Sequence, residues 1–202
     1  MFSIIPAKPF LEAKSRLAAV LSPEQRLVLS RYLLQRTISI ARQVGEVVVI
    51  SRDSQVRRLA KQAGAYALVE TASDLNQALR QASAWVTAMG GTSALILPTD
   101  LPLLQPSTLQ EIIELGQPNP SVVIAPCQRR DGTNGLLLHP LGLIDFAFGL
   151  NSFQKHQQAV QSIGLQPIIY NSPAIALDID LPTDLADWQK GDGSFSDCLS
   201  IL

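Results

Sequence analysis

Ala94-Leu95-Ile96-Leu97-Pro98-Thr99-Asp100-Leu101-Pro102-Leu103-Leu104 is the stretch on which the reading of the fold turns. No polar residue interrupts Ala94 to Leu97, the pattern of a strand buried on both faces, as in a parallel sheet. Pro98 stops the run, and a carboxylate, Asp100, stands just past the stop. Leu101-Pro102 then keeps the exit extended, because the residue before a proline disfavours helix. In open α/β sheets ligands bind outside the carboxyl ends of the strands, so an acid here is placed for a metal or a phosphate. An ordinary strand-to-loop turn is the other use of such an aspartate.

Upstream, the chain alternates strand and helix. Phe2 to Ile5 is a short apolar strand. Ser22-Pro23-Glu24-Gln25 is a helix start with a serine cap and proline at the first position. Apolar residues from Leu27 to Ala41 follow at helical spacing, and Gly45 is the expected stop. Val47 to Ile50 is a second strand, Ser54 to Gln62 a helix closed by Gly64, and Ala65 to Glu70 a weaker strand. Ser73 is the expected cap of a helix with Leu75, Leu79, Ala82 and Val86 as its apolar stripe, ended by Gly90-Gly91. The opening stretch is therefore strand four of a regular alternation, which implies a mainly parallel, doubly wound sheet.

The second half is less regular. Pro106 to Leu115 reads as a helix and Ser121 to Ala125 as a strand. Gln128 to Gly135 reads as a polar loop leading into a strand at Leu136 to Leu138. Phe146 to Phe153 breaks the pattern and opens a helix running to about Ile163, and Pro167 to Tyr170 is a strand. Leu177-Asp178-Ile179-Asp180-Leu181 reads as the extended segment that closes the fold.

The composition narrows the classes of function. At 202 residues, with 47% hydrophobic and 16% charged residues, this is one large α/β domain with ample core. A net charge of −1 offers no global attraction for nucleic acid or an anionic membrane, so an anionic ligand must be held by local cations. The apolar runs are strand-length and the N-terminus lacks a basic, then long apolar, leader, so neither a membrane span nor a signal peptide is expected. Cys127 and Cys198 match no metal spacing and read as free thiols in a reducing cytoplasm. With only His139 and His156, a histidine-rich zinc site is excluded.

Four groups of residues, and two single side chains, could carry chemistry. The loop after the first strand, Pro6-Ala7-Lys8 to Arg16, has no glycine-rich phosphate motif. It carries Lys8, Lys14 and Arg16, cations able to clamp a triphosphate through charge-assisted hydrogen bonds. Asp178 and Asp180, two apart in an extended segment, project to one face and with Asp100 offer a carboxylate pair or trio for Mg2+. The loop Asp131-Gly132-Thr133-Asn134-Gly135, flanked by Arg129 and Arg130, could form an anion nest. Phe148-Gly149-Leu150-Asn151-Ser152 offers a second anion site at a helix start. Asn76 could reach a base or ribose from the first turn of its helix, and His156, beside Lys155, could neighbour an anion. Each has a plainer use as a solvated loop, cap or turn. Together they describe a triphosphate clamp, a metal site and a second anion pocket, with no Ser–His–Asp set. That combination fits nucleotidyl transfer to an acceptor already ionised at neutral pH.

Six motifs in order resemble one family. They are Ile5-Pro6-Ala7-Lys8 with Ala13-Lys14-Ser15-Arg16-Leu17, Leu75-Asn76-Gln77-Ala78, and Asp100-Leu101-Pro102-Leu103-Leu104. Gly132-Thr133-Asn134, Phe148 to Phe153 with Lys155-His156, and Leu177 to Leu185 complete the set. The family is the 2-phospho-L-lactate / phosphoenolpyruvate guanylyltransferases of deazaflavin coenzyme F-420 biosynthesis, the CofC/FbiD type, and the likeness runs to about Trp188. The resemblance implies a Rossmann-like three-layer α/β/α sandwich of the nucleotide-diphosphosugar-transferase type. The sheet is then mixed but mostly parallel, with residues 1–188 one nucleotidyltransferase domain and 189–202 a loosely held tail.

It also implies transfer of GMP from GTP to phosphoenolpyruvate or 2-phospho-L-lactate, with Mg2+, in a cytoplasmic protein; a homodimer is left open. The implied acceptor contacts are Thr133, Gly149 and Ser152, the metal acids Asp100, Asp178 and Asp180. Pro6, Ala7, Lys8, Lys14, Arg16 and Asn76 fall at the nucleotide, and Lys8, Lys14 and Asp100 are the implied catalytic groups. Thr99 stands where many members have glycine, and Leu150-Asn151 where many have Gly-Pro. Two other readings stay open from the sequence. Asp178-Ile179-Asp180 could be the D-x-D of a metal-dependent glycosyltransferase, or the chain could be a nucleotide-binding module without turnover.

Overall fold

A computed structural model describes residues 1–72 and 74–191. Among these, seven strands form one sheet in the order β3-β2-β1-β4-β6-β5-β7. They are β1 (Phe2–Pro6), β2 (Glu46–Ser51), β3 (Tyr66–Val69), β4 (Ala94–Ile96), β5 (Ser121–Pro126), β6 (Thr133–His139) and β7 (Ile168–Ile169). β1 pairs in parallel with β2 and β4, β2 with β3, and β5 with β7. β6 alone runs antiparallel, against both β4 and β5.

Strand alternation assigns each residue to a layer. Ile5, Val47, Val49, Leu95, Leu97, Val123 and Leu137 face helices α1 (Pro23–Ala41), α2 (Ser54–Gln62) and α4 (Pro106–Leu115). Ile4, Val48, Ile50, Ile96, Ile124 and Leu136 face α3 (Leu75–Ala88) and α5 (Ser152–Ser162). Ala94 to Leu97 is fully buried on both faces, as the unbroken apolar run predicts. Each such Leu or Ile contributes roughly 1.5–3 kcal/mol of burial. The three-layer sandwich and the mostly parallel sheet agree with the sequence reading.

A satellite core of Leu17, Leu29, Leu33, Leu177, Ile179, Leu185 and Trp188 lies beside the main ones. It seats the segment that follows α6 (Pro173–Ala176), together with α7 (Pro182–Gly191), against Leu29 and Leu33 of α1. This small core fixes the acids on the 177–180 segment.

Several local expectations need correction. Helix α1 ends at Ala41, not Gly45. Gly45 instead gives room to the Met1 carbonyl, which a Cβ would meet at 2.6 Å and which accepts the Glu46 N–H. The cap expected at Ser73 lies outside the described residues; Asp74 caps α3, accepting from the N–H groups of Asn76 and Gln77. Strand β6 begins at Thr133 rather than Leu136, because Thr133 and Gly135 already pair with Pro126 and Ala125. Finally, residues 177–180 join no strand. Their contact with the sheet's ligand edge is the Ile179 N–H donating to the Asp100 carbonyl, while Leu177 and Ile179 drop into the satellite core. Of the tail expected over 189–202, residues 189–191 instead finish helix α7, and 192–202, with Cys198, lie outside the described residues.

Candidate active site

The loop after β1 is tied down at several points. The Ala7 N–H donates to the Ile50 carbonyl, the Phe10 N–H donates to Asp53, and the Phe10 ring is buried. Asp53 also caps α2, so one carboxylate joins the helix start to the loop. Farther on, Lys14 takes a left-handed backbone (φ 56°) ahead of a 3-10 turn, Ser15–Leu17, whose Leu17 fills the satellite core. That geometry turns the Lys14 side chain inward. Its Nζ donates to Asp100 Oδ2 at 2.8 Å and to the Ile179 carbonyl at 2.5 Å, and lies 3.8 Å from Asp180 Oδ1.

Asp100, Asp178 and Asp180 therefore come together from two chain segments, after β4 and after α6. Burial pushes the Asp178 carboxyl above its usual range, and the charges of Asp100 and Asp180 push it further. The Asn134 amide opposes this by donating to Asp178 Oδ1 at 3.3 Å, and Arg129 stands 3.9 Å away. With Asp184, which shares Arg129, four acids here face three cations, Lys14, Arg16 and Arg129. Hard carboxylate oxygens in that condition suit Mg2+, which takes one or two carboxylates and completes its shell with water and phosphate oxygens. A ready-made cage is a different matter: among the described residues no group of three or more His, Cys, Asp or Glu could hold a metal ion. Lys14 separates Asp100 from Asp180.

A cleft of about 450 Å³ opens beside the cluster. It runs along the carboxyl ends of four neighbouring strands, from Glu70 and Asp74 past β3, through Arg52 past β2, to Pro6–Lys8 past β1. Its far end is Thr99, Asp100 and Asp180 past β4. Of the residues expected at a nucleotide, Pro6, Ala7, Lys8 and Lys14 line this cleft. Arg16 does not; it lies exposed behind the acids, 3.3 Å from Asp180. Asn76 is also outside the lining. Its amide accepts the Phe148 N–H and donates to the Phe148 carbonyl, so it holds a loop from both sides. Thr99 lies at the cleft without a positive φ, so it needs no glycine-like backbone.

Thr133, Gly149 and Ser152 gather on the other side of the acids, outside the cleft lining. Thr133 and Ser152 are buried, and Gly149 takes a φ of 117° that suits glycine. His156 links two of these segments: Thr133 Oγ1 lies 3.0 Å from Nδ1, and the Ala147 N–H, two residues before Gly149, donates to Nε2 at 3.1 Å. Asn134, next to Thr133, connects this pocket to Asp178.

The expected nest at 131–135 does not form. The Gly132 N–H donates to Cys127 Sγ, and Thr133 to Gly135 belong to β6. Arg129 pairs with Asp184 at 2.9 Å, and Arg130 donates to Asn171 with its guanidinium over the Phe153 ring. At the second expected anion site, two N–H groups already have acceptors: Ser152 donates to Gly149 and Phe153 to Asp131. His156 is buried and neutral, pushed down to about 4 by burial and secondarily by Lys155, so it is no cationic neighbour of an anion.

Three supports went unread in the sequence. Asp184 accepts the N–H groups of Asp180 and Leu181 along with Arg129, Asn134 donates to the Ile175 and Ala176 carbonyls, and His156 ties Thr133 to the backbone at Ala147. The only signal for Asp184 was an acid in the first turn of a helix; for Asn134 and His156 there was none beyond the motif that contains them.

Residues 1–196 match the family model described as "Guanylyl transferase CofC like". Phosphoenolpyruvate guanylyltransferase of Rubrobacter xylanophilus is 37% identical over 195 residues, covering 96% of this chain and 95% of that protein. 2-Phospho-L-lactate guanylyltransferase of Methanobrevibacter ruminantium is 34% identical, covering 93% and 84%. 3-Phospho-D-glycerate guanylyltransferase of Colwellia psychrerythraea is 31% identical, covering 90% and 88%. Among solved structures, 4-diphosphocytidyl-2C-methyl-D-erythritol synthase superposes with a TM-score of 0.63 at 16% identity, covering 94% of this chain and 96% of that one. At that identity the likeness speaks to the fold alone.

Proposed function

The chain belongs to the CofC-like guanylyl transferase family, and from that premise we propose that it transfers GMP from GTP to a small phosphorylated three-carbon acid. Phosphoenolpyruvate is the first candidate acceptor, 2-phospho-L-lactate the second, and the product is a precursor in coenzyme F-420 biosynthesis. A phosphate oxygen of the acceptor attacks the α-phosphorus, the bond from that phosphorus to the α,β-bridging oxygen breaks, and pyrophosphate leaves with the electron pair.

The observation that carries this reading is the cleft spanning the ends of four strands, with Lys8 and Lys14 on its wall and Asp100 at its end. Strands lie about 4.8 Å apart, so the four ends span roughly 14 Å, room for a nucleotide laid across them. The volume also falls within the range of small-molecule sites, roughly 300–1,000 Å³. In this reading the phosphates lie over β1 beside Lys8 and Lys14, and the base lies toward Arg52 and Glu70. Thr133, Gly149 and Ser152 take the acceptor. Asp100 and Asp180, with Asp178 behind them, would hold Mg2+, which when bound supplies positive charge to the phosphate oxygens.

The acceptor phosphate is already ionised near neutrality, so no general base is needed. Positioning and charge neutralisation by the lysines suffice. A coupled pyrophosphate assay across the four nucleoside triphosphates and three acids, phosphoenolpyruvate, 2-phospho-L-lactate and 3-phospho-D-glycerate, tests the reading. Release is expected with GTP and one of the acids, and only when Mg2+ is present. Stabilisation by a UDP-sugar instead would favour the glycosyltransferase reading, and GTP binding without release under every condition would reject turnover.

A further inference from the structure

We propose that His156 is a positioning residue for the acceptor acid: its buried imidazole makes the Thr133 hydroxyl a donor and holds the 147–149 turn beside it. The proposal rests on the reading of Thr133, Gly149 and Ser152 as the acceptor pocket.

The tautomer follows from the bonds. Nε2 receives the Ala147 N–H at 3.1 Å, so it carries a lone pair and no proton. In a neutral imidazole the proton is then on Nδ1, 3.0 Å from Thr133 Oγ1. Nδ1–H therefore donates to the Thr133 oxygen, and the threonine's own proton is turned away from the histidine. A hydroxyl so arranged offers a directed donor, which is what a carboxylate or phosphate oxygen requires. The ring is fully buried and its charging is disfavoured, so this polarity does not reverse near neutral pH.

The same ring joins every element of the pocket. His156 lies one turn after Ser152 on α5, it fixes the backbone at Ala147, and it meets the Phe148 ring edge-on at 4.8 Å. Asn76 grips the Phe148 backbone from the opposite side. Strand β6, the turn before Gly149 and the first turn of α5 thus share one hinge-free anchor.

Steady-state kinetics on three substitutions read the proposal. His156→Phe removes both bonds and is expected to raise the acceptor KM about tenfold or more, the loss of one directed hydrogen bond, with the GTP KM nearly unchanged. His156→Asn puts an amide N–H near the place of Nδ1 and is expected to recover most of that loss. His156→Gln reaches toward Ala147 instead and is expected to behave like His156→Phe. In a Thr133→Val background, His156→Phe should raise the acceptor KM far less than it does in the unaltered protein, since the hydroxyl it orients is gone and only its hold on the 147–149 turn is left to lose. Nitrogen-15 NMR of the labelled imidazole should show the Nδ1-protonated neutral form, whatever the activity.

Parallel shifts in both KM values, full additivity with Thr133→Val, or an Nε2-protonated ring would overturn the proposal while the transferase reading stands. A wild-type protein that releases no pyrophosphate with any of the three acids overturns both. Should His156→Phe fail to fold, Thr133→Val, His156→Asn and the NMR measurement still decide the matter.

Discussion

Lys14 is held in a conformation that ordinary lysines avoid. A left-handed backbone costs a residue with a Cβ roughly 1–2 kcal/mol, and here the contacts of the side chain offset it. The ammonium reaches Asp100, the Ile179 carbonyl and the neighbourhood of Asp180 while its own side chain is nearly enclosed. It ties Asp100 to the segment that carries Asp178 and Asp180, and in the proposed reading it stands where the leaving phosphates would gather charge. Lys14→Met should lower kcat/KM by roughly 10²–10³, the scale on which removal of one charge-stabilising donor is felt. The same change leaves Asp100 and Asp178 facing each other without Lys14. Stability should fall by about 1–3 kcal/mol, measurable by urea unfolding at neutral pH.

Among the elements, the 177–180 segment depends most on its supports. It has no place in the sheet, and its N–H groups must find partners elsewhere. Asp184, in the first turn of α7, accepts from Asp180 and Leu181 and is itself held by Arg129. Burial works to raise the Asp184 carboxyl, yet Arg129 and those two N–H groups hold it below its usual range. Asn134 on β6 grips the same segment at Ile175, Ala176 and Asp178. Gly135 leaves room for α6, because a Cβ there would come within 2.9 Å of Ile175. The glycine and asparagine near Thr133 are thus explained by packing rather than by an anion nest. Asp184→Ala should cost about 2–3 kcal/mol in urea unfolding, from one charge-assisted bond and two N–H groups left without an acceptor. It should also lower turnover, although Asp184 itself does not line the cleft. An unchanged kcat alongside lost stability would separate α7 from the acids it carries.

For the molecule as a whole, one traceable source of acid sensitivity is His156, beside carboxylates such as Asp184 that folding also holds in the charged form. His156 is near 4 in the folded chain and near 6.5 when the chain unfolds. The folded state binds fewer protons in that window. The histidine's contribution is therefore full above about pH 6.5 and is lost as the pH falls toward 4. The difference amounts to about 3 kcal/mol at most. Asp178, raised on folding, acts with the opposite sign in its own window, losing stability as the pH rises through its folded value. Subtracting the unfolding free energy of His156→Phe from that of the unaltered protein at each pH isolates the histidine. The difference should shrink steadily between pH 6.5 and 4, and a flat difference would reject the assignment.

The alternation of strands and helices, the burial of Ala94 to Leu97 and the acid at the strand's exit were legible in the sequence. Each follows from local periodicity or from a proline placed next to a strand. Lys8, Lys14 and Asp100 were legible as a group because the ends of parallel strands in such a sheet share one edge. The sequence could not show that β6 is antiparallel and starts at Thr133, or that Asp178 and Asp180 lie on no strand. Nor could it show that Arg129 answers Asp184 or that Asn76 holds Phe148. Those facts depend on which distant segments pack together: Lys14 and Asp100 are 86 positions apart, Thr133 and His156 are 23 apart. By itself the sequence determined the layers and the residue types at their ligand edge. Tertiary packing decided which of those side chains stay free for a ligand and which are already bonded, because a buried polar group takes whatever partner the neighbouring element brings.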